Sequence, residues 1–152
     1  MIVISSFQVI FTWVCPKDTR LNNLAGNILI AEDNGVLSDV LCFNLRNAGF
    51  DVTAAENGLV AIEKLRAATF DLLITDYQMP GVDGAELCKA VRSELQLSHM
   101  PILMCSAKGL EINVEKLKSD FGVAKLLFKP FSMREIVSAA QNLIAARVPN
   151  LN

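Results

Sequence analysis

The sequence has a single histidine, His99, and four cysteines, Cys15, Cys42, Cys88 and Cys105, with no CxxC pair among them. A zinc site draws on clustered Cys and His ligands, so this scatter excludes one. Three of the cysteines stand in apolar stretches. A free thiol there behaves as a small hydrophobe, which points to a reducing, cytoplasmic setting rather than a disulfide framework. A charge excess is missing too: 14 Lys+Arg against 16 Asp+Glu leave a net charge of -2. Bulk electrostatics therefore favours neither nucleic acid nor an anionic membrane, and recognition has to be local. The apolar N-terminal stretch MIVISSFQVIFTWV falls short of the roughly 20 residues that cross a bilayer. It has no basic residue ahead of it and no small-residue cleavage pattern behind it. We read residues 1–26 as an apolar extension, an accessory strand or docking segment with a polar linker from Lys17 to Gly26. A degenerate signal or membrane-associated segment is the less favoured reading.

What is present is a chain of ordinary domain size. Its 152 residues, 52% apolar and 20% charged, suit one globular domain with a substantial core. From Asn27 the chain alternates short β-rich apolar runs with helical patterns, the signature of a parallel sheet covered on both faces. The strands are expected at 28–31, 51–54, 71–75, 101–105 and 125–128, and the helices at 36–48, 59–68, 85–95, 113–121 and 133–146. Gly49 and Gly122 punctuate helix ends, and Ser132 with Glu135 three residues on marks a helix start. Five βα units make an open doubly wound α/β domain, whose ligand crevice lies at the carboxyl ends of the strands.

The residues at those ends carry the chemistry. Glu32 and Asp33 follow the first strand, Asp76 the third, Ser106 the fourth and Lys129 the fifth. Taken singly, an Asp or Ser at a strand end is more often a turn former or helix cap than a functional group. Their conjunction is another matter. Two carboxylates about 4 Å apart repel by about 4 kcal/mol at an effective dielectric near 20, and Lys129 offsets only part of three such charges. The excess suits a hard divalent cation, Mg2+ best, because it prefers oxygen ligands and tolerates a partly open site. An oxygen nucleophile, a metal, a lysine and a hydroxyl are equipment for phosphoryl transfer to a carboxylate.

The acid pair closing ILIAED, the DYQMPGVDG beginning at Asp76, the MCSA containing Ser106 and the KPF of Lys129, Pro130 and Phe131 resemble the receiver domain of two-component response regulators. The resemblance covers about Asn27 to Ala146 and implies a receiver domain over residues 27–148, with a flavodoxin-like (βα)5 fold and a five-stranded parallel sheet of order 2-1-3-4-5. It implies that Asp76 is the phosphoacceptor, taking a phosphoryl group from a phosphohistidine on a sensor histidine kinase or histidine phosphotransfer protein. Mg2+ would be held by Asp33, by Glu32 mainly through a bound water, by Asp76 and by the backbone carbonyl of Gln78. Ser106 and Lys129 would hold phosphoryl oxygens, and the Lys129–Pro130 bond would be cis. The protein would then be a signalling domain rather than an enzyme, assisting its own phosphorylation and dephosphorylation. Its output face, toward a downstream protein or its own dimer, would be the fourth helix, fifth strand and fifth helix. No DNA-binding or enzymatic output domain is expected in this chain. One departure stands out: Leu126 occupies the position three before the lysine where the family often carries Tyr or Phe.

Two rival readings follow from the same residues. One is a receiver-like interaction or dimerisation module that works unphosphorylated, a reading kept open by Leu126 and the apolar extension. The other is a metal-dependent phosphatase of similar topology, resembling the haloacid dehalogenase family. Such enzymes place DxD after the first strand, where this chain reads EDN.

Overall fold

The computed structural model describes residues 26–109 and 112–147. The expectation for the apolar extension, up to residue 25, lies outside them. Five strands alternate with five helices: β1 (Asn27–Ala31), α1 (Gly35–Asn47), β2 (Asp51–Ala55), α2 (Gly58–Ala67), β3 (Leu72–Asp76), α3 (Gly84–Lys89), β4 (Ile102–Ser106), α4 (Val114–Phe121), β5 (Lys125–Phe128) and α5 (Met133–Arg147). All strand pairings are parallel and the sheet order is β2-β1-β3-β4-β5. The fold is flavodoxin-like, as the resemblance implied.

Alternation along the strands builds two cores. Leu29, Leu73, Ile102 and Met104 face one side, against Ala61 and Leu65 of α2, Leu87 of α3 and Leu117 of α4. Ile28, Ile30, Leu72, Ile74 and Leu103 face the other, against Leu41 and Leu45 of α1 and Ile136 and Ala140 of α5. A strand covered on both faces needs an apolar residue at every position. That is why β3 and β4 are buried throughout and apolar except near their carboxyl ends, where Thr75 is satisfied by donating its hydroxyl to the Asp76 carbonyl at 2.9 Å.

The observed elements differ from expectation in a few places. Asp76 and Ser106 are the last residues of β3 and β4, paired in the ladder with Cys105 and Phe128, rather than the first residues beyond them. The third helix, expected to run regularly over 85–95, becomes a π-helical turn at Ala90–Glu94. At the end of α1 the cap is Ala48, and Gly49, with φ +97°, is the residue after it. Gly122 caps α4 in the left-handed region. Ser132 and Glu135 exchange side-chain and backbone hydrogen bonds in a capping box. The Lys129–Pro130 bond is cis.

Candidate functional site

The sheet order reverses between β1 and β3, which opens a crevice at their carboxyl ends. The backbone ladder runs up to that edge. The Glu32 N–H donates to the Ala55 carbonyl at 3.1 Å, the Tyr77 N–H to Cys105 at 2.7 Å and the Lys129 N–H to Ser106 at 2.8 Å. Glu32, Asp76, Ser106 and Lys129 are thus held at the edge of the sheet, while Asp33 and Gln78 lie in the connections just beyond β1 and β3. Asn34 tightens the first corner: its N–H donates to Glu32 Oε1 at 3.1 Å, while its own side chain accepts from Leu37 and caps α1.

The expected residues come together as follows. Glu32, Asp33 and Asp76 each offer an oxygen, and these oxygens all lie within 4.8 Å of one another. Lys129 Nζ sits 3.0 Å from Asp76 Oδ1 and 3.3 Å from Glu32 Oε2. Glu32 and Asp76 are buried, and Asp33 is exposed at the mouth. Ser106 is fully buried, and its Oγ accepts the Lys108 N–H at 3.0 Å, so the hydroxyl is engaged by the loop that follows it. Gln78 stands exposed two residues beyond Asp76, where it borders an open depression with Tyr77, Pro80 and Lys108.

Three acids share one lysine, and the electrostatics shows the imbalance. Burial pushes the Glu32 carboxyl above its ordinary range; the Asn34 N–H lowers it, Asp76 raises it again, and the nearby Lys129 does not reverse the outcome. Burial also opposes the charge of Lys129, but there the hydrogen bond to Asp76 and the attraction of Asp76 and Glu32 prevail, so its ammonium titrates above the usual lysine value. At the same contact, attraction wins for the lysine and burial wins for the glutamate. The carboxylate set therefore carries uncompensated charge and presents hard oxygen donors with one exposed member. That donor set fits Mg2+, and the residues that could hold it are Glu32, Asp33 and Asp76.

The loop after Asp76 is shaped by close packing. A Cβ on Gly84 would fall inside contact distance of the Asp76 carbonyl oxygen and 2.9 Å from Tyr77 Cα; the Gly84 N–H donates to the Tyr77 carbonyl at 2.9 Å. Gly81 supplies a positive φ of 78°. Asp83 and Glu86 close the corner with a capping box at the start of α3. Sequence reasoning passed over that box, although an acid followed three residues later by Glu is a readable start signal. It also passed over Asn34 as the cap of α1, whose signal is an Asn placed ahead of a helix.

A model of the response regulator receiver domain matches residues 28–141. Among solved structures, the chain is similar to a putative response regulator from Chloroflexus aurantiacus, with 34% identity, 79% of this chain and 98% of that one covered, and a TM-score of 0.71. It is similar to a chemotaxis response regulator of Vibrio cholerae, with 30% identity, coverage of 77% and 97%, and a TM-score of 0.71. The receiver domain of a sensor histidine kinase from Pseudomonas aeruginosa matches at 27% identity, with coverage of 79% and 98% and a TM-score of 0.71; that structure holds a magnesium ion coordinated in its active-site cleft.

Proposed function

The chain belongs to the response regulator receiver family of two-component systems, and from that premise we propose that it accepts a phosphoryl group on Asp76 in a Mg2+-dependent reaction. The observation that carries this reading is the contact of a buried carboxylate with a lysine, Asp76 Oδ1 to Lys129 Nζ at 3.0 Å, inside a cluster of two further acids.

In the reaction, an oxygen of Asp76 attacks the phosphorus of a phosphohistidine on a sensor kinase or phosphotransfer protein. The P–N bond breaks and the imidazole leaves with its electron pair. Lys129 balances the charge that the phosphoryl oxygens bring to the strand ends, and the Ser106 hydroxyl donates to one of them once it turns from the Lys108 loop. Glu32, Asp33, Asp76 and the Gln78 carbonyl would hold Mg2+, which supplies charge neutralisation on the transferring group. Hydrolysis of the acyl phosphate by water returns the carboxylate, so the same residues assist gain and loss of the signal. Phosphorylation then alters a face made of α4, β5 and α5, toward a downstream protein or a second copy, in the cytoplasm.

Leu126 bears on the second half of this reading. It is half-buried and packs into the core between the sheet and α2–α4, beside Met104 in register. An aliphatic side chain there lacks the aromatic ring that many family members carry, which leaves an unphosphorylated interaction module as the competing reading. Intact mass after incubation with Mg2+ and a small-molecule phosphodonor separates the two. The wild-type chain is expected to gain one phosphoryl group and Asp76→Asn none. A folded wild-type chain with no adduct sinks the phosphoacceptor reading.

A further inference from the structure

Three large apolar side chains stand on the outer face of α1: Val36 is 77% exposed, Val40 40% and Phe43 65%. Their spacing of four and three residues puts them in one stripe, opposite the core-facing Leu41, Cys42 and Leu45. Asp39, Asn44 and Asn47 border it on the same helix. Isolated apolar residues on a surface are ordinary, but a contiguous stripe with a polar rim marks something that is covered.

The chain carries a segment suited to cover it. Ile2–Val14 has no charged residue and is rich in Ile, Val and Phe. Gly26, where the described residues begin, lies on the face of the sheet that α1 and α5 cover. A Cβ on Gly26 would meet Asp71 and the Ile144 Cδ1 of α5, the Asn27 N–H is fixed to Asp71 Oδ2 at 2.8 Å, and α1 and α5 share the same core layer. The roughly ten residues from Lys17 to Gly26 reach about 35 Å when extended, further than the roughly 20 Å length of α1. Tethering through a short linker sets an effective concentration near the millimolar range, so a modest apolar contact is enough to hold the segment down. We propose that the apolar segment Ile2–Val14 docks on the Val36, Val40 and Phe43 stripe of α1 in its own chain. Anything else that uses this face must then displace it. The inference does not depend on phosphorylation at Asp76.

The sequence contains one tryptophan, Trp13, which lies inside the segment and reports on it directly. In the full chain, Trp13 emission is expected to be blue-shifted and less quenched by acrylamide than in urea, to the same extent across a wide range of protein concentration. Val36→Asp combined with Phe43→Asp is expected to return both readings to the unfolded values while far-UV circular dichroism stays native; Phe43→Ser serves as a milder variant should the double change disturb the fold. Leu59→Asp, at an exposed apolar position on α2, is expected to change nothing. The inference is overturned by a Trp13 as accessible as in urea, by shielding that survives the stripe substitutions, by equal loss with Leu59→Asp, or by shielding that vanishes on dilution, which assigns the stripe to a second copy.

Discussion

At Gly84 the backbone leaves no room for a side chain, because the Asp76 carbonyl oxygen and Tyr77 Cα already occupy the space a Cβ would need. Gly84→Ala must therefore shift the end of β3 itself. We expect a loss of roughly 1–3 kcal/mol from overpacking, together with slower phosphoryl uptake at Asp76. Gly81 differs: its φ is +78° and the space around an added Cβ is open, so Gly81→Ala is expected to cost only the left-handed backbone penalty, about 1–2 kcal/mol. Urea melts of the two variants, paired with phosphorylation rates, check both. Glu32 supplies a second test. Burial raises its pKa above the ordinary 4.5, so the folded state holds the proton more tightly than the unfolded chain. Its stability contribution is complete below the unfolded pKa and is lost as pH rises through the higher folded value. In metal-free buffer Glu32→Gln is thus expected to gain on the wild type across that rise and to keep its advantage at neutral pH. A wild type that gains on the variant over the same range contradicts this account.

Among the elements, α4 owes its position to a residue outside it. The Arg92 guanidinium donates to the carbonyls of Phe121 and Gly122 at the end of α4, each at 3.0 Å, and to the Leu97 carbonyl in the loop before β4. Arg92 lies in the π-helical turn after α3, so one side chain ties three segments. Hydrogen bonds from a charged donor are worth about 1.5–3 kcal/mol each, and removing the donor leaves carbonyls with only water to turn to. Arg92→Ala is expected to destabilise the domain by roughly 1–3 kcal/mol and to speed amide exchange in α4 more than in α1. Uniform change across both helices would count against a local tie. The π turn also marks a limit of legibility. Apolar periodicity places a helix over 85–95 but does not encode a hydrogen-bond register shifted by one residue. The strand ends show a related bias. A carboxylate reads as a stop signal, yet Asp76 remains in the ladder opposite Cys105, because parallel pairing uses the backbone and is indifferent to the side chain. By contrast, Glu32, Asp33, Asp76 and Lys129 could be assembled from sequence, since they stand at or just beyond the carboxyl ends of short apolar runs, of which those of β1 and β3 are buried and that of β5 is partly exposed. The Asn34 bond to Glu32 and the grip of Lys108 on Ser106 could not, because they depend on how two loops fold back.

For the whole molecule, any ion that binds the cluster is coupled to folding. The cluster's acids come from the ends of β1 and β3, its lysine from the end of β5, and these strands meet only in the native sheet. The unfolded chain cannot present them together, so an ion that binds the cluster draws on the stability of the entire domain. At a free Mg2+ concentration one hundred times its dissociation constant, the expected gain is about 2.7 kcal/mol. Asp33→Asn removes the exposed member of the set without disturbing the Lys129 contacts to Glu32 and Asp76. Its metal-free stability is expected to equal or slightly exceed that of the wild type, because one repulsive charge is gone, while most of the Mg2+ gain disappears. Denaturant midpoints measured over a Mg2+ series separate the two effects: the wild-type midpoint should climb with the logarithm of concentration and that of Asp33→Asn should stay nearly flat. Parallel slopes would mean that the stabilising ion binds elsewhere, and the acidic cluster would cease to be a candidate metal site.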